Sequence, residues 1–319
     1  MTQKIIFSDV QKADIVKKYL SDKMTLKKIS LDYNISDIPI KRVLREQHVI
    51  SREPTETSRK YPLNEHYFDH IDSYDKAYFF GLLMADGYNS NQSIVLILSK
   101  KDVKILERFR DFIKSQQPLK FSISKDGRFE YCSLPLYSSY LSKKLTELGC
   151  MRAKSLKIKF PEEHLKGDLI RHFIRGYFDG DGCISYHYSP KNNCFGNTFS
   201  SVITFTSTED FCLYLTRYFK DNFGIHCTIM CRHPDHHNNN RTIQISGNKQ
   251  VEKIMQWMYK DTDLYFQRRH DKFITICNIR KERAPIVSRL RSETYKKIIE
   301  KYNREKQNKI INISETHNV

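Results

Sequence analysis

The sequence predicts an α+β fold in which two copies of one αββαββα unit follow a small all-α domain. Three observations carry that expectation. Two short segments, "YFFGLLMADGYNS" (78–90) and "FIRGYFDGDGCIS" (173–185), align without gaps, and each is followed by the same order of apolar strand, capped helix, hairpin and amphipathic helix. Within the hairpins apolar and polar residues alternate, the period of a half-buried strand. The first sixty residues, by contrast, carry helix caps and helical spacing but no strand pattern.

In residues 1–50, "SDVQKADIVKKYLS" reads as an amphipathic helix capped at Ser8, and "TLKKISLDY" as a second helix capped at Thr25. A break at Asn34-Ile35 leads to "SDIPIKRVLREQ", with Ser36 as cap and Pro39 tolerated in the first turn. This order resembles a helix-turn-helix, which would offer Lys41, Arg42 and Arg45 to a DNA groove; three-helix units of this size also make protein contacts. Residues 51–70 form a polar linker in which Arg52, Arg59 and Lys60 can follow phosphates.

The second short segment could be a tight Asp-Gly turn, a calcium loop or half of an active site. A calcium loop counted from Asp179 needs glycine at its sixth position and glutamate at its twelfth, where Ile184 and Pro190 stand. The upstream run "HLKGDLIRHFIRGYF" has helical apolar spacing. Gly176 and Gly180 then fall four apart on one face, as do Gly81 and Ala85 in the first segment, so that two backbones can approach closely. Gly87 and Gly182 are expected to end the helices in a left-handed conformation. Asp86 and Asp181 thus sit at helix C-termini, where the dipole already carries partial negative charge. If the small faces pack together the two carboxylates converge, and a hard divalent cation such as Mg²⁺ resolves their repulsion. Such a metal beside a basic surface suggests phosphodiester hydrolysis.

The two copies occupy residues 71–165 and 166–280, with a basic tail over 281–319. "SIVLILSKKDVKILERFRDFI" parallels "SVITFTSTEDFCLYLTRYFKDNF", and each copy closes on a helix, "SSYLSKKLTELG" or "NKQVEKIMQWMYK". The unit puts four strands in one sheet with helices on one face and leaves the other free. Alternation directs Leu119, Phe121 and Ile123 toward the helices and Lys120, Ser122 and Ser124 away; in the second copy Ile243 and Ile245 oppose Thr242, Gln244 and Ser246.

The chain has 54 Lys+Arg against 37 Asp+Glu, a formal charge of +17, with the excess concentrated in residues 1–60 and 268–319. A nucleic acid suits that balance better than a membrane, because no apolar run is long enough to span a bilayer and the N-terminus carries no secretory signal. Eight cysteines scattered through 319 residues read as free thiols of a reducing compartment, cytoplasmic (prokaryotic or phage-encoded) or organellar, rather than as a disulfide scaffold. His226, Cys227, Cys231, His233, His236 and His237 match no common zinc spacing; Cys227 and Cys231 fall on one strand face with Ile225 and Ile229, and the histidines on an exposed loop. Arg289, Arg291, Lys296 and Lys297 in the tail can contact phosphate.

The paired segments resemble the signature of LAGLIDADG homing endonucleases, read here as "FFGLLMADG" and "IRGYFDGDG". The resemblance implies that Asp86 and Asp181 bind the catalytic metal, that Lys154 and Arg269, with Arg268 beside the latter, line the cleft floor, and that the polar sheet faces form a saddle on the major groove of double-stranded DNA. It further implies a monomer with an internal pseudo-twofold axis that cuts both strands of a long specific site across the minor groove, leaving short 3′ overhangs. An earlier acidic position of the signature is Asp179 in the second segment and Met84 in the first. Where relatives carry a polar, water-holding residue on the strand, the alignment gives Ile97 and Phe205. The alternative on the same fold is a noncatalytic DNA-binding regulator or a maturase acting on intron RNA.

Overall fold

The computed structural model describes residues 5–49, 60–189, 198–231 and 239–316. At the N-terminal end, helices α1 (Asp9–Leu20), α2 (Leu26–Asp32) and α3 (Asp37–Glu46) enclose their own small core of Phe7, Ile15, Tyr19, Ile29, Ile40, Val43 and Leu44. Ser8 and Gln11 form a reciprocal capping box on α1, and the Thr25 hydroxyl accepts from the Lys28 N–H at the start of α2. Asn34 takes the left-handed conformation at the break. Ser36 holds the cap position of α3 but its side chain makes no capping bond.

The first repeat runs α4 (Tyr74–Asp86), β1 (Gly87–Asn89), β2 (Ser93–Ser99), α5 (Val103–Phe112), β3 (Lys120–Ile123), β4 (Glu130–Tyr137) and α6 (Ser139–Glu147). The second runs α7 (Leu169–Asp181), β5 (Gly182–Ser189), β6 (Thr198–Thr208), α8 (Glu209–Phe223), β7 (Thr228–Met230), β8 (Asn240–Ser246) and α9 (Asn248–Tyr259). Each forms a four-stranded antiparallel sheet, ordered β1-β2-β4-β3 and β5-β6-β8-β7. Helices cover one face of each sheet, and a single apolar cluster spans both repeats through α4 and α7. Ser99 and Thr208 act as matching caps after the second strand of each copy. Helix α10 (Gln267–Thr316) is continuous through residue 280, so the expected start of the tail at 281 is not an element boundary.

The alternation holds in register but not everywhere in burial. Phe121 pairs with the buried Cys132, and Ile229 with the buried Ile243, which puts both on the helix side of their sheets. Yet Phe121, Ile123, Ile229 and Cys231 are exposed, because β3 and β7 are edge strands beyond the cover of the helices. Ser124 has left the strand altogether: its hydroxyl accepts from the Phe129 N–H at 3.0 Å within the Asp126-Gly127 turn. Thr242 is buried rather than exposed, with its hydroxyl 3.1 Å from that of Thr206. Gly87 and Gly182 are not left-handed; their φ values are −71° and −93°, and the chain passes directly from helix into strand. Glycine is required there for room, since a Cβ would stand 2.5 Å from the Leu83 or the Phe178 carbonyl oxygen.

Candidate active site

Helices α4 and α7 pack backbone to backbone. A Cβ on Gly81 would meet the Phe173 carbonyl and, at 2.9 Å, the Tyr177 amide; one on Gly176 would meet the Tyr78 carbonyl and, at 3.0 Å, the Leu82 amide. Farther along, Gly180 faces the Ala85 methyl, and the Asp86 carboxylate lies 3.2 Å from where a Gly180 Cβ would stand. The small-residue faces thus bring the ends of both helices together.

Asp86 and Asp181 keep a solvent-accessible edge while protein crowds around them, as on the floor of a cleft. Crowding is the largest cause that lifts the Asp86 carboxyl, up to about 6, and the charge of Asp181 adds to it; Lys154, Arg269 and Arg268 act in the opposite direction. Asp181 is also raised by burial, against Lys154, the Tyr177 hydroxyl and Arg269.

The two basic residues occupy corresponding places. The Lys154 ammonium donates to the Gly87 carbonyl, and Arg269 donates to the Gly182 carbonyl as well as to those of Asp179 (2.9 Å) and Gly180 (3.1 Å). Each cation therefore caps a helix C-terminus that ends in a carboxylate. Arg268 turns away to the buried Asp102 of the first repeat, 3.0 Å from Nε to Oδ2.

Beneath the second helix end lies a polar network that joins Asp179 and Arg269 to Tyr78, Phe266 and Arg175, whose part in it no sequence motif marks. Asp179 is fully buried and accepts from the Tyr78 hydroxyl at 2.7 Å and the Phe266 N–H at 2.9 Å, with the Arg269 guanidinium at 4.0 Å. Burial raises its carboxyl to about 6 against these partners. Arg175, also fully buried, donates to the Leu264 and Met258 carbonyls. Met84, the first-repeat counterpart of Asp179, is simply packed.

Register corrects one alignment. Gly87 pairs with Leu96 and Gly182 with Phe205, so Leu96 and Phe205 are equivalent and both point into the core. The counterpart of the exposed Ile97 is therefore Thr206, one residue past Phe205, and the second half-site has a polar residue where the ungapped alignment placed an aromatic ring. Tyr177, equivalent to Leu82, donates to the Thr206 carbonyl at 2.9 Å and borders Asp181. The spacing from motif glycine to paired residue differs between the copies, 87 to 96 against 182 to 205, so Thr206 is identified by the strand register and not by any sequence signal.

Lys120 and Ser122 lie exposed on the open face of the first sheet, and Gln244 and Ser246 on that of the second. The α3 cations are partly engaged: Lys41 pairs with Asp37 at 2.6 Å, and Arg42 pairs with Glu46 and donates to the Ile5 carbonyl, whereas Arg45 is exposed. Arg52, Arg59, His233, His236 and His237 lie outside the described residues, and the side chain of Arg291 is likewise not described. Among the described residues no three His, Cys, Asp or Glu side chains gather in a metal-holding group, and no helix is long and apolar enough to cross a membrane.

Comparison with known proteins gives matches in sequence and in structure. A stretch of 110 residues, 34% of the chain, is 27% identical to the replication factor C small subunit of Methanocaldococcus jannaschii, of whose length it spans 6%. Solved structures similar to the chain include the I-SmaMI LAGLIDADG homing endonuclease bound to cleaved DNA (14% identity, 67% of this chain and 94% of that one, TM-score 0.46). Others are the LAGLIDADG meganuclease I-AabMI bound to uncleaved DNA (14%, 67% and 96%, 0.45) and I-SmaMI bound to an uncleaved DNA target in the presence of calcium ions (13%, 68% and 97%, 0.45). The family model described as LAGLIDADG-like domain matches residues 168–256, from the start of α7 into α9. The second repeat thus matches the LAGLIDADG-like domain model, and the first repeat copies its element order, its strand register and the position of its terminal aspartate.

Proposed function

We propose that the chain is a site-specific endonuclease of the homing type, acting as a monomer on double-stranded DNA and hydrolysing a phosphodiester bond in each strand with Mg²⁺. The observation that carries this reading is the convergence of Asp86 and Asp181 at the ends of two packed helices, each capped by a cation. The donor set suits a hard divalent ion: two carboxylates lifted by crowding, with both motif carbonyls already taken by Lys154 and Arg269. Mg²⁺ is commonly bound through one or two carboxylates, its remaining ligands coming from water and substrate phosphate. When bound, it would supply positive charge to the reacting phosphate and acidify a water molecule.

The chain's own residues do the rest. Asp86 and Asp181 hold the ion; Lys154 and Arg269 offset the helix dipoles beneath it and add positive potential toward the phosphates. The open sheet faces, with Lys120, Ser122, Gln244 and Ser246, lie along the major groove, and α3 adds contacts on one flank through Lys41, Arg42 and Arg45. One chain supplies both carboxylates, so a single copy completes the site. A noncatalytic binder would gain nothing from two carboxylates held where crowding and mutual charge disfavour their ionised forms.

The test is cleavage of a target recovered from a randomised duplex library. Asp86→Asn and Asp181→Asn should each abolish double-strand cutting in Mg²⁺ while leaving DNA affinity in Ca²⁺ largely intact. Full cutting by either variant would exclude the assigned roles.

A further inference from the structure

We propose that Gln244 reads an adenine through the major groove and that the equivalent position of the first repeat reads no base by hydrogen bonding, so the two halves of the target differ in kind. The inference rests on the endonuclease reading and adds to it the chemistry by which the open faces discriminate bases.

Equivalent rungs of the two sheets can be matched by register. The motif glycines define one rung in each repeat, Gly87–Leu96–Leu134 and Gly182–Phe205–Ile243. One residue further along lie Tyr88–Val95–Pro135 in the first and Cys183–Thr204–Gln244–Thr228 in the second. Both rungs lie on the side away from the helices, two residues past each carboxylate, but only the second presents its central residue there, because Pro135 is buried while Gln244 is half-exposed. Gln244 stands between two threonines, half-exposed, and its Nε2 donates to the Ser246 hydroxyl at 2.7 Å.

That bond uses one of the two amide hydrogens and fixes the plane of the side chain. One N–H and the Oε1 acceptor remain, and with the hydrogen trans to Oε1 on Ser246 the two lie side by side. Adenine presents the complement, the N7 acceptor beside the N6 amino donor. Guanine offers two acceptors, which would set O6 against Oε1; thymine offers an acceptor and a methyl group, cytosine a donor with no adjacent acceptor. At the matching place in the first sheet Pro135 is buried and has no side-chain donor or acceptor, and the half-buried Val95 beside it offers only methyl groups, which suit contact with a thymine methyl.

The experiment is selection of duplexes from a randomised library by binding to the intact protein in Ca²⁺, for wild type, Gln244→Ala and Gln244→Glu. Wild type should fix one position as adenine by about 5- to 150-fold over other bases. Gln244→Ala should make that single position degenerate and leave the rest of the site unchanged. Gln244→Glu should move the preference to cytosine, whose N4 amino group a carboxylate accepts from. An identical site for wild type and Gln244→Ala, or loss of preference spread over many positions, would overturn the inference while leaving the endonuclease reading in place. If wild type recovers no common site, the reading of the chain as a site-specific DNA-binding enzyme fails, and the inference fails with it.

Discussion

Replacing Gly81 or Gly176 with alanine tests the packing on which the site depends. The added Cβ at Gly176 would stand 2.8 Å from the Tyr78 carbonyl carbon and closer still to its oxygen; at Gly81 it would stand 3.0 Å from the Phe173 carbonyl carbon. Comfortable carbon contacts are roughly 3.5–4.0 Å, and backbone atoms of a buried helix cannot rotate away, so the helices must part by roughly 1 Å along the seam. Two effects compete. Alanine favours an isolated helix over glycine by about 1 kcal/mol. Overpacking costs ~1–3 kcal/mol where side chains can yield, and here they cannot, so the upper end applies and a net loss of about 2 kcal/mol remains. For a core of this size that lowers Tm by roughly 4–8 °C, readable by circular dichroism on thermal unfolding. Gly180→Ala is the contrasting variant, because its Cβ meets the Ala85 methyl and the Asp86 carboxylate rather than a carbonyl. It should lose comparable stability, because the Ala85 Cβ is as fixed as a backbone atom, and in addition disturb the Asp86 carboxylate and with it cleavage. An unchanged or raised Tm for both Gly81→Ala and Gly176→Ala would refute the close approach of the two helices.

Two further outcomes follow from the site and the appendage. Because the Asp86 carboxyl is raised to about 6, a cation that needs the ionised form should bind fully above that pH and weaken as pH falls through it; Asp181→Asn, by removing a neighbouring charge, should bring the Asp86 carboxyl down. Carboxyl NMR titration of both proteins reads this, and a higher Asp86 value in the variant would contradict the charge coupling. The same raised value means that Asp86 favours the folded state below its unfolded pKa, an effect lost as pH rises through about 6. Deleting residues 1–60 should shorten the footprint on one flank and flatten the salt dependence of binding without moving the cut, whereas an unchanged flank would assign the three-helix unit to another partner.

The parts of this molecule legible in the sequence are those fixed by local chemistry or by the backbone. Ser8, Thr25 and Thr208 cap helices as their side chains dictate, and Gly81, Ala85, Gly176 and Gly180 mark the seam because no larger residue fits there. What the sequence did not disclose depends on tertiary surroundings. Alternation finds which face Phe121 and Ile229 belong to, yet whether that face is covered depends on where the helices end. Glycine at 87 and 182 was expected for its left-handed freedom, but the requirement is steric and arises one helical turn back, at Leu83 and Phe178. The Tyr78–Asp179–Phe266 bonds join residues as far as 101 positions apart, and nothing local announces them.

Placing the two repeats side by side separates what the architecture demands from what each half may alter. The seam glycines, the terminal aspartates and a cation on each helix end occur in both copies, because backbone contact and paired negative charge permit little else. Around that frame Leu82, Met84, Ile97 and Lys154 in one half stand opposite Tyr177, Asp179, Thr206 and Arg269 in the other. Two of these differences form one connected change: a guanidinium at 269 reaches three carbonyls where the ammonium at 154 reaches one, and its Nε faces a buried carboxylate that Met84 does not provide. An amine at 269 would leave Asp179 with its burial and fewer partners, and a carboxylate at 84 would have no guanidinium to face. The two half-sites are therefore alternative solutions to one electrostatic problem, and residues 84 and 154 can be exchanged for their counterparts 179 and 269 only together.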